Sequence, residues 1–289
     1  MNLNGFTDCH THTSFSPDSD ASAIDMCNRA LELGLSAYAI TDHAECNRWY
    51  GIEHYSSAVP NAYDTYNCGL DFENSLAFST KLKEEYKGKL NLIAGIELGQ
   101  ATHDFEVADK AVSDKRLDFV IGSIHQLQGY DDFAFLKYEN ENPLDIKAVN
   151  ELLKKNYLEI LNLAKWGKFD VLGHLTYTLR YIEGDAGIKV DMTLFDDIIE
   201  EIFKTIIQNG NGIEINTSGL RQKYGQPFPT PNYVKMYKDL GGEILTLGSD
   251  AHRPEDIGKG IKEGTEIAKI CGFKYIAYYK ERKPNFIKL

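Results

Sequence analysis

Cysteine is scarce in this sequence and shows no pattern. The 289 residues include five cysteines, and no two of them form a CxxC pair. The odd number and the irregular spacing argue against a disulfide framework. We therefore expect free thiols and a reducing compartment. The five are Cys9, Cys27, Cys46, Cys68 and Cys271.

Long apolar runs and an excess of positive charge are also missing. No apolar run is long enough to span a bilayer, and residues 1–5 lack the basic and apolar regions of a secretory signal, so we expect a cytoplasmic protein. The 31 Lys and Arg are outnumbered by 43 Asp and Glu, which gives a net charge of −12. This balance argues against a nucleic-acid partner, because phosphate contacts depend on Lys and Arg. It permits a small anionic substrate, since bound metal cations can reverse the local charge.

Short strand-like runs alternate with helix-like runs along the chain, which predicts βα units and a parallel sheet. In the first helix, Ser22 and Asp25 form a pair like a capping box and Gly34 marks the end. The predicted strands are 6–12, 36–43, 91–98, 118–126, 170–175, 212–217 and 243–250. The predicted helices are 21–34, 73–88, 105–115, 145–166, 191–209, 231–240 and 255–271.

Residues of metal-ligand type end nearly every predicted strand. They are His10, His12, His43, Glu97, His125, His174, Asp250 and His252. The active sites of βα barrels lie at this face, whereas an open sheet concentrates function at one switch point. We therefore predict an α/β fold, a distorted TIM-like barrel of about seven or eight strands, with the site at the C-terminal ends of the strands.

Two long segments follow strands that carry candidate ligands. Segment 44–72 is polar and rich in Tyr and Asn, and segment 127–144 follows the fourth predicted strand. We interpret both as active-site loops, with a surface insertion as the alternative. No internal repeat or linker divides the chain, so we expect one domain over residues 1–289.

The placement of the histidines points to a metal centre. A single histidine at a strand end is more often a core residue than a ligand, but six of the eight histidines share this placement. His10 with His12, and Asp250 with His252, are two residues apart, so on an extended strand each pair shares a face. Imidazole and carboxylate ligands without thiolate suit zinc, iron or manganese.

These motifs together resemble the polymerase-and-histidinol-phosphatase (PHP) family, and the resemblance covers nearly the whole chain. It implies a distorted (β/α)7 barrel that holds up to three metal ions. Each of the nine usual ligand positions of the family has an acceptable residue here. The motifs are His10-Thr11-His12, Asp18, Thr41-Asp42-His43, Glu97, Ser123-Ile124-His125, Gly173-His174 and Ser249-Asp250-Ala251-His252.

The resemblance also implies which residues would share a metal ion. Glu97 would bridge the first and second ions, and Asp18, a ligand of the third, is alternatively an acid of the loop before the first helix. By motif, the first group is His10, His12, Glu97 and Asp250, the second is Glu97, His125 and His174, and the third is Asp18, His43 and His252.

Such a centre predicts phosphoester hydrolysis. Two cations bridged by a carboxylate can supply a hydroxide at neutral pH and polarise a phosphoryl oxygen, so the hydroxide would attack phosphorus directly. Asp250 or His252 would orient this hydroxide as the catalytic residues. Segments 173–181 and 214–221 resemble the branch of the family that hydrolyses L-histidinol phosphate in histidine biosynthesis.

Three residues are candidate substrate contacts. Arg180 and Arg221 follow predicted strands, and the guanidinium fork matches the geometry of phosphate; a salt bridge at the rim is the alternative for each. Asn216 ends the sixth predicted strand and would bind substrate, with a role in a turn as the alternative. Asp42 and Glu45 are candidates to orient ligands or to pair with a substrate ammonium.

Other functions remain open to the sequence. A PHP phosphoesterase acting on a phosphotyrosine, a sugar phosphate or a nucleotide is the nearest alternative. A nuclease or proofreading module fits the acidic composition poorly. A degenerate, non-enzymatic domain would be expected to have lost ligand positions, and none is lost.

Overall fold

The computed structural model describes residues 2–47, 70–134, 136 and 145–289. Most of the predicted loop 44–72 and the second half of the predicted loop 127–144 lie outside the described residues. The strands are β1 (Thr7–Asp8), β2 (Ala37–Ile40), β3 (His43–Glu45), β4 (Leu92–Gly99), β5 (Phe119–Ser123), β6 (Val171–Leu172), β7 (Gly212–Asn216), β8 (Leu245–Gly248), β9 (Tyr275–Lys280) and β10 (Lys283–Lys288). The α-helices are α1 (Ala23–Leu33), α2 (Leu70–Glu85), α3 (Phe105–Val112), α4 (Ile146–Trp166), α5 (Asp196–Asn209), α6 (Pro231–Asp239) and α7 (Ile261–Ile270).

The first eight strands form one parallel sheet that closes nearly into a barrel. Neighbours follow the order β1, β2, β4, β5, β6, β7, β8, and β3 continues the line of β2 beside β4, which gives seven strand positions. At the seam, the Cys9 amide donates to the Leu247 carbonyl at 2.8 Å, and Thr11 forms a parallel bridge with Ala251. The predicted distorted TIM-like barrel is confirmed.

The first helix shows how local sequence sets an element. The Ser22 side chain accepts from the Asp25 amide at 3.1 Å, and Gly34 ends the helix with φ 74°, in the left-handed region that glycine adopts readily. Both predicted signals are therefore confirmed. The inward face of α1 consists of Ala23, Met26, Cys27, Ala30 and Leu33.

The apolar core has layers outside and within the sheet. The large cluster joins α3–α7 to the outer side of β4–β8. A smaller cluster lies among the strands and includes Cys9, Phe119, Ile121, Val171 and Tyr279. Tyr279 comes from β9, so the C-terminal hairpin of β9 and β10 completes the core.

That hairpin is bound to the N-terminal ends of two barrel strands. The Arg282 side chain donates from Nε to the Asp170 carboxylate at 2.6 Å and from a terminal nitrogen to the Lys168 carbonyl at 3.0 Å. The Glu281 amide donates to Asp118 at 3.0 Å. Burial raises the pKa of Asp170 to about 6, although the charge of Arg282 opposes this shift. The hairpin therefore stabilises the face opposite the predicted site.

One predicted helix is shorter than its pattern indicates. Helix 255–271 begins only at Ile261, because Gly258 at φ 74° and Gly260 at φ 79° occupy the left-handed region and prevent an earlier start. No helix of the described residues has both the length and the apolar character that a membrane crossing requires.

Candidate metal centre

Closure of the barrel brings the two ends of the sequence pattern together. The Asp250 amide donates to the His10 carbonyl at 2.8 Å, and the His12 amide donates to the Ala251 carbonyl at 2.9 Å. The segments that follow β1 and β8 therefore run side by side. As the spacing predicts, each delivers two ligand-type side chains to one site.

One carboxylate oxygen of Glu97 faces the ligand-type side chains of the segments that follow β1 and β8. Its Oε2 lies 3.3 Å from His10 Nε2 and 3.5 Å from His12 Nε2. The two Nε2 atoms are 3.1 Å apart, and Asp250 Oδ1 lies 3.4 Å from His12 Nε2. The structure thus brings together the four residues predicted for the first metal ion.

The other oxygen of Glu97 faces a second group. Its Oε1 lies 2.6 Å from His174 Nε2 and 3.0 Å from His125 Nε2, and these two nitrogens are 3.3 Å apart. The two oxygens of one carboxylate are therefore divided between two sets of imidazoles. This is the arrangement expected of a bridging ligand.

Asp18 lies between the two histidines of the third predicted group. Its Oδ2 lies 2.9 Å from His252 Nε2 and 3.6 Å from His43 Nε2. The His12 ring stacks on both His43 and His252, with centroids 4.4 and 4.2 Å away. The third group is therefore continuous with the first, and all nine predicted ligands lie around one centre.

The donor atoms are spaced as metal ligands are. Zinc–nitrogen bonds of about 2.0 Å put the ligands of a tetrahedral ion about 3.3 Å apart, close to the separations within the first two groups. Burial, then the positive charges of His252 and His43, lower the pKa of His12 to about 4. Burial raises the pKa of Glu97, but the charges of His125, His10 and His43 outweigh it and hold that pKa well below its usual value. The residues fit a cation centre.

Glu45 belongs to this centre although the ligand motifs omit it. Its Oε1 lies 3.3 Å from Nδ1 of both His43 and His125, and its side chain is fully buried. A Cβ at Gly99 would lie 2.0 Å from Glu45 Oε2, so only glycine leaves room for this carboxylate. Glu45 therefore fixes the ring orientations of two predicted ligands.

Glu214 supports two predicted ligands, although the sequence pattern did not single it out. The Nδ1–H of His10 donates to its Oε1 at 2.8 Å, and the His174 amide donates to its Oε2 at 3.1 Å. A Cβ at Gly248 would lie 2.1 Å from Glu214 Oε1. Alternation along β7 puts Glu214 on the same face as Asn216, and this signal was available in the sequence.

Asp42 orients His12 through a hydroxyl. Its carboxylate accepts from the Thr13 amide at 2.6 Å and from the hydroxyls of Ser16 and Ser75 at 2.8 and 2.6 Å. The Ser16 hydroxyl lies 3.1 Å from His12 Nδ1. Asp42 therefore binds the loop that carries His12, and it does not line the cavity described below.

A cavity of about 250 Å³ opens beside the ligands. Arg180 lines it and lies with its Cζ 5.1 Å from the ring centre of Tyr181. Within the described part of the chain, the Arg180 guanidinium makes no hydrogen bond or ion pair. The remaining lining residues are Asp18, His43, Glu97, His125, Asp132, Ala134, His174, Tyr177, Asp250 and His252.

Asn216 and Arg221 lie behind Asp250 and do not line that cavity. Asn216 donates to Asp250 Oδ2 at 3.2 Å, and its side-chain oxygen Oδ1 accepts from the Ser218 amide and hydroxyl. Arg221 donates to the carbonyls of Ser249 and Asp250 at 2.7 and 3.2 Å. These bonds hold Asp250, whose φ of 53° is uncommon for a residue other than glycine. Substrate contact by either residue stays a prediction.

A family model described as PHP domain matches residues 8–218. The chain belongs to the PHP family. It is 31% identical to the probable histidinol-phosphatase of Thermotoga maritima over 271 residues, covering 93% of this chain and 94% of that protein. It is 28% identical to the probable histidinol-phosphatase of Clostridium acetobutylicum over 275 residues, covering 94% and 96%.

A solved structure has the same fold. The histidinol phosphate phosphatase of Lactococcus lactis, crystallised with zinc, L-histidinol and phosphate, superposes with a TM-score of 0.75 at 21% identity. The likeness covers 97% of this chain and 99% of that one. The barrel of the present PHP protein is therefore a known architecture, with helices outside a nearly closed sheet.

Proposed function

We propose that this PHP protein is a metal-dependent phosphomonoesterase that hydrolyses L-histidinol phosphate to L-histidinol and phosphate. The observation that carries the proposal is a buried cluster of imidazoles and carboxylates that opens onto a cavity lined by the guanidinium of Arg180. The full-length likeness to proteins named histidinol-phosphatase supports the choice of substrate. The proposal includes one domain over 1–289, a cytoplasmic enzyme of histidine biosynthesis, and no nucleic-acid partner.

The ligand groups are proposed to hold two or three ions of zinc, iron or manganese, with Glu97 shared between the first two. Bound cations polarise a phosphoryl oxygen and supply hydroxide at neutral pH. The chain's own contribution is to fix the ligands. Glu45 and Glu214 orient histidines of different strands, and Glu97 offers one oxygen to each group.

Asp250 is proposed to position the attacking oxygen. Its Oδ2 accepts from the Asn216 side chain at 3.2 Å, which leaves Oδ1 directed at His12 and His252. Oδ1 would accept a hydrogen bond from the attacking hydroxide and so orient it, and His252, with Nδ1 3.7 Å from that oxygen, would share this role. Arg221 holds the backbone of Asp250, and it stays our second candidate for phosphate contact.

Arg180 is proposed to bind the phosphate. Its guanidinium makes no hydrogen bond or ion pair within the described residues, and Arg180 lines the cavity beside the ligands. Arginine can donate two parallel hydrogen bonds to phosphate oxygens, and these bonds are short and strong. Arg180→Lys keeps the charge but removes the fork, so we expect it to raise KM for the phosphoester more than it lowers kcat.

A phosphate-release assay with L-histidinol phosphate tests the proposal. We expect kcat/KM for this substrate to exceed that for p-nitrophenyl phosphate at least tenfold, and the His125→Ala variant to lose turnover of both. The matched control is His103→Gln, which changes a histidine that is described by the structure but is not a predicted ligand. This variant should retain activity. Equal turnover of both esters by the metal-loaded enzyme would overturn the substrate assignment and leave the hydrolytic chemistry standing.

A further inference from the structure

The cavity contains one acid that the metal centre does not use. Among the described residues, the acids that line it are Asp18, Glu97, Asp132 and Asp250. Three of them are predicted ligands, and each lies within 4 Å of a histidine nitrogen. Asp132 is different, because within the described part of the chain it makes no ion pair. A carboxylate that faces a cavity without a cation partner is a site for a positive group.

The backbone holds Asp132 in a fixed place. The Phe133 amide donates to the His125 carbonyl at 3.1 Å, which binds the turn to the segment of a predicted ligand. The Gln126 side chain donates to the Tyr130 carbonyl at 2.8 Å. The Asp132 carboxylate accepts one local hydrogen bond, from the Ala134 amide at 2.7 Å. Asp132 lines the cavity, and within the described residues no other hydrogen bond occupies its carboxylate.

The cavity is therefore lined by groups of both charges. Arg180 and the cation centre attract a phosphate, whereas Asp132 offers a negative charge to the same cavity. The hydroxyls of Tyr177 and Tyr181, which lie 2.8 Å apart, line the cavity as well. A substrate that carries both a phosphate and a cationic group matches this combination of charges.

We propose that Asp132 is a specificity residue that binds the primary ammonium group of the substrate. The inference rests on the proposed function, because L-histidinol phosphate carries an ammonium on the carbon next to the one that bears the phosphoester. A charge-assisted hydrogen bond from that ammonium to Asp132 selects an aminated phosphomonoester over a neutral one. It contributes about tenfold or more to the selection.

The test compares Asp132→Asn with wild type on two substrates that differ only in the amine. These are L-histidinol phosphate and its analogue without the amino group, 3-(imidazol-4-yl)propyl phosphate. The wild-type ratio of kcat/KM, aminated over neutral, should be at least tenfold and should fall to about one in Asp132→Asn, mainly through KM. Asp131→Asn, at the adjacent exposed acid, is the matched control and should keep the wild-type ratio.

Turnover of p-nitrophenyl phosphate separates this role from a structural one. Asp132→Asn should retain it, because that ester has no ammonium; an equal loss on all three esters would overturn the inference. A wild-type ratio near one, or a ratio unchanged in Asp132→Asn, would overturn it as well, even with L-histidinol phosphate as a good substrate. If the imidazole esters are not turned over, the proposed function fails, and the same ratio is then measured with 2-aminoethyl phosphate and ethyl phosphate.

Discussion

Replacing Glu214 with glutamine should change the tautomer of His10, so that His10 can no longer act as a metal ligand. One oxygen of Glu214 accepts from His10 Nδ1–H, and the other accepts from the His174 amide. A glutamine has only one acceptor oxygen, so its NH2 group must face one of these two donors. The backbone amide cannot give up its proton, whereas His10 can move its proton to Nε2. Nε2 is the atom that faces Glu97 and the ligand cluster, so the shift would protonate the ligating nitrogen.

The size of the effect follows from the two contacts. Loss of a hydrogen-bonded partner behind a metal-bound histidine lowers metal affinity or activity by about 10- to 100-fold, which is about 1.4 to 2.7 kcal/mol. Glu214 contacts residues that follow two different strands and is fully buried, so we expect the upper half of that range. The fold should survive, because glutamine has nearly the same shape.

Competition with a chelator of known affinity measures the binding of each metal equivalent, and kcat/KM for the phosphoester is measured on the same samples. Glu263→Gln, at an exposed position in the first turn of α7, is the matched control. Wild-type metal affinity and activity in Glu214→Gln, each within about twofold, would refute the tautomer argument.

Two further predictions concern packing and charge. Gly99→Ala would put a Cβ 2.0 Å from Glu45 Oε2, so we expect at least about tenfold loss of activity, and Gly99→Ala activity near wild type in the phosphate-release assay would contradict this. Arg282→Ala removes the cation beside the buried Asp170 and should lower the free energy of unfolding by about 3 kcal/mol at pH 8. Burial already raises the pKa of Asp170 to about 6 in the folded protein, and without Arg282 no positive charge opposes this rise. At pH 5 the carboxyl is therefore mostly protonated and has no charge to leave unpaired. The loss of unfolding free energy should thus be smaller at pH 5 than at pH 8. Urea unfolding of Arg282→Ala at both pH values measures this, with Asp170→Asn/Arg282→Ala as the control that should remove the pH dependence; equal losses at both pH values would contradict it.

The fold was predictable because its signals are local. Alternation of strand and helix runs, Ser22 at a helix start and Gly34 at its end are read within a few residues of each other. Element bounds were less predictable where backbone geometry intervenes. β6 spans only Val171–Leu172, although the predicted strand extends over 170–175, because the chain leaves the sheet directly before His174.

The ligands were predictable from the sequence, whereas the residues that support them were not. A histidine or acid at a strand end can be recognised by type and position alone, as with His125 and Glu97. Glu214 lies 204 residues from His10, and its role depends on the Gly248 that leaves space for it. Asp132 lies in a turn without periodicity, so only the cavity reveals it. Residues that act through a partner need the three-dimensional contact to be found.

Assembly of the site depends on closure of the barrel, as the contacts of Asp8 show. The Asp8 carboxylate is fully buried and accepts from the amides of Ser249 and Gly258 at 2.8 and 2.9 Å. Burial raises the pKa of Asp8, although these hydrogen bonds oppose the shift. Because Asp8 lies two residues before His10, and Ser249 directly before Asp250, the same contact sets the positions of both ligand pairs. A buried acid that joins the first strand of the barrel to the segment after its last strand therefore couples closure of the sheet to assembly of the centre.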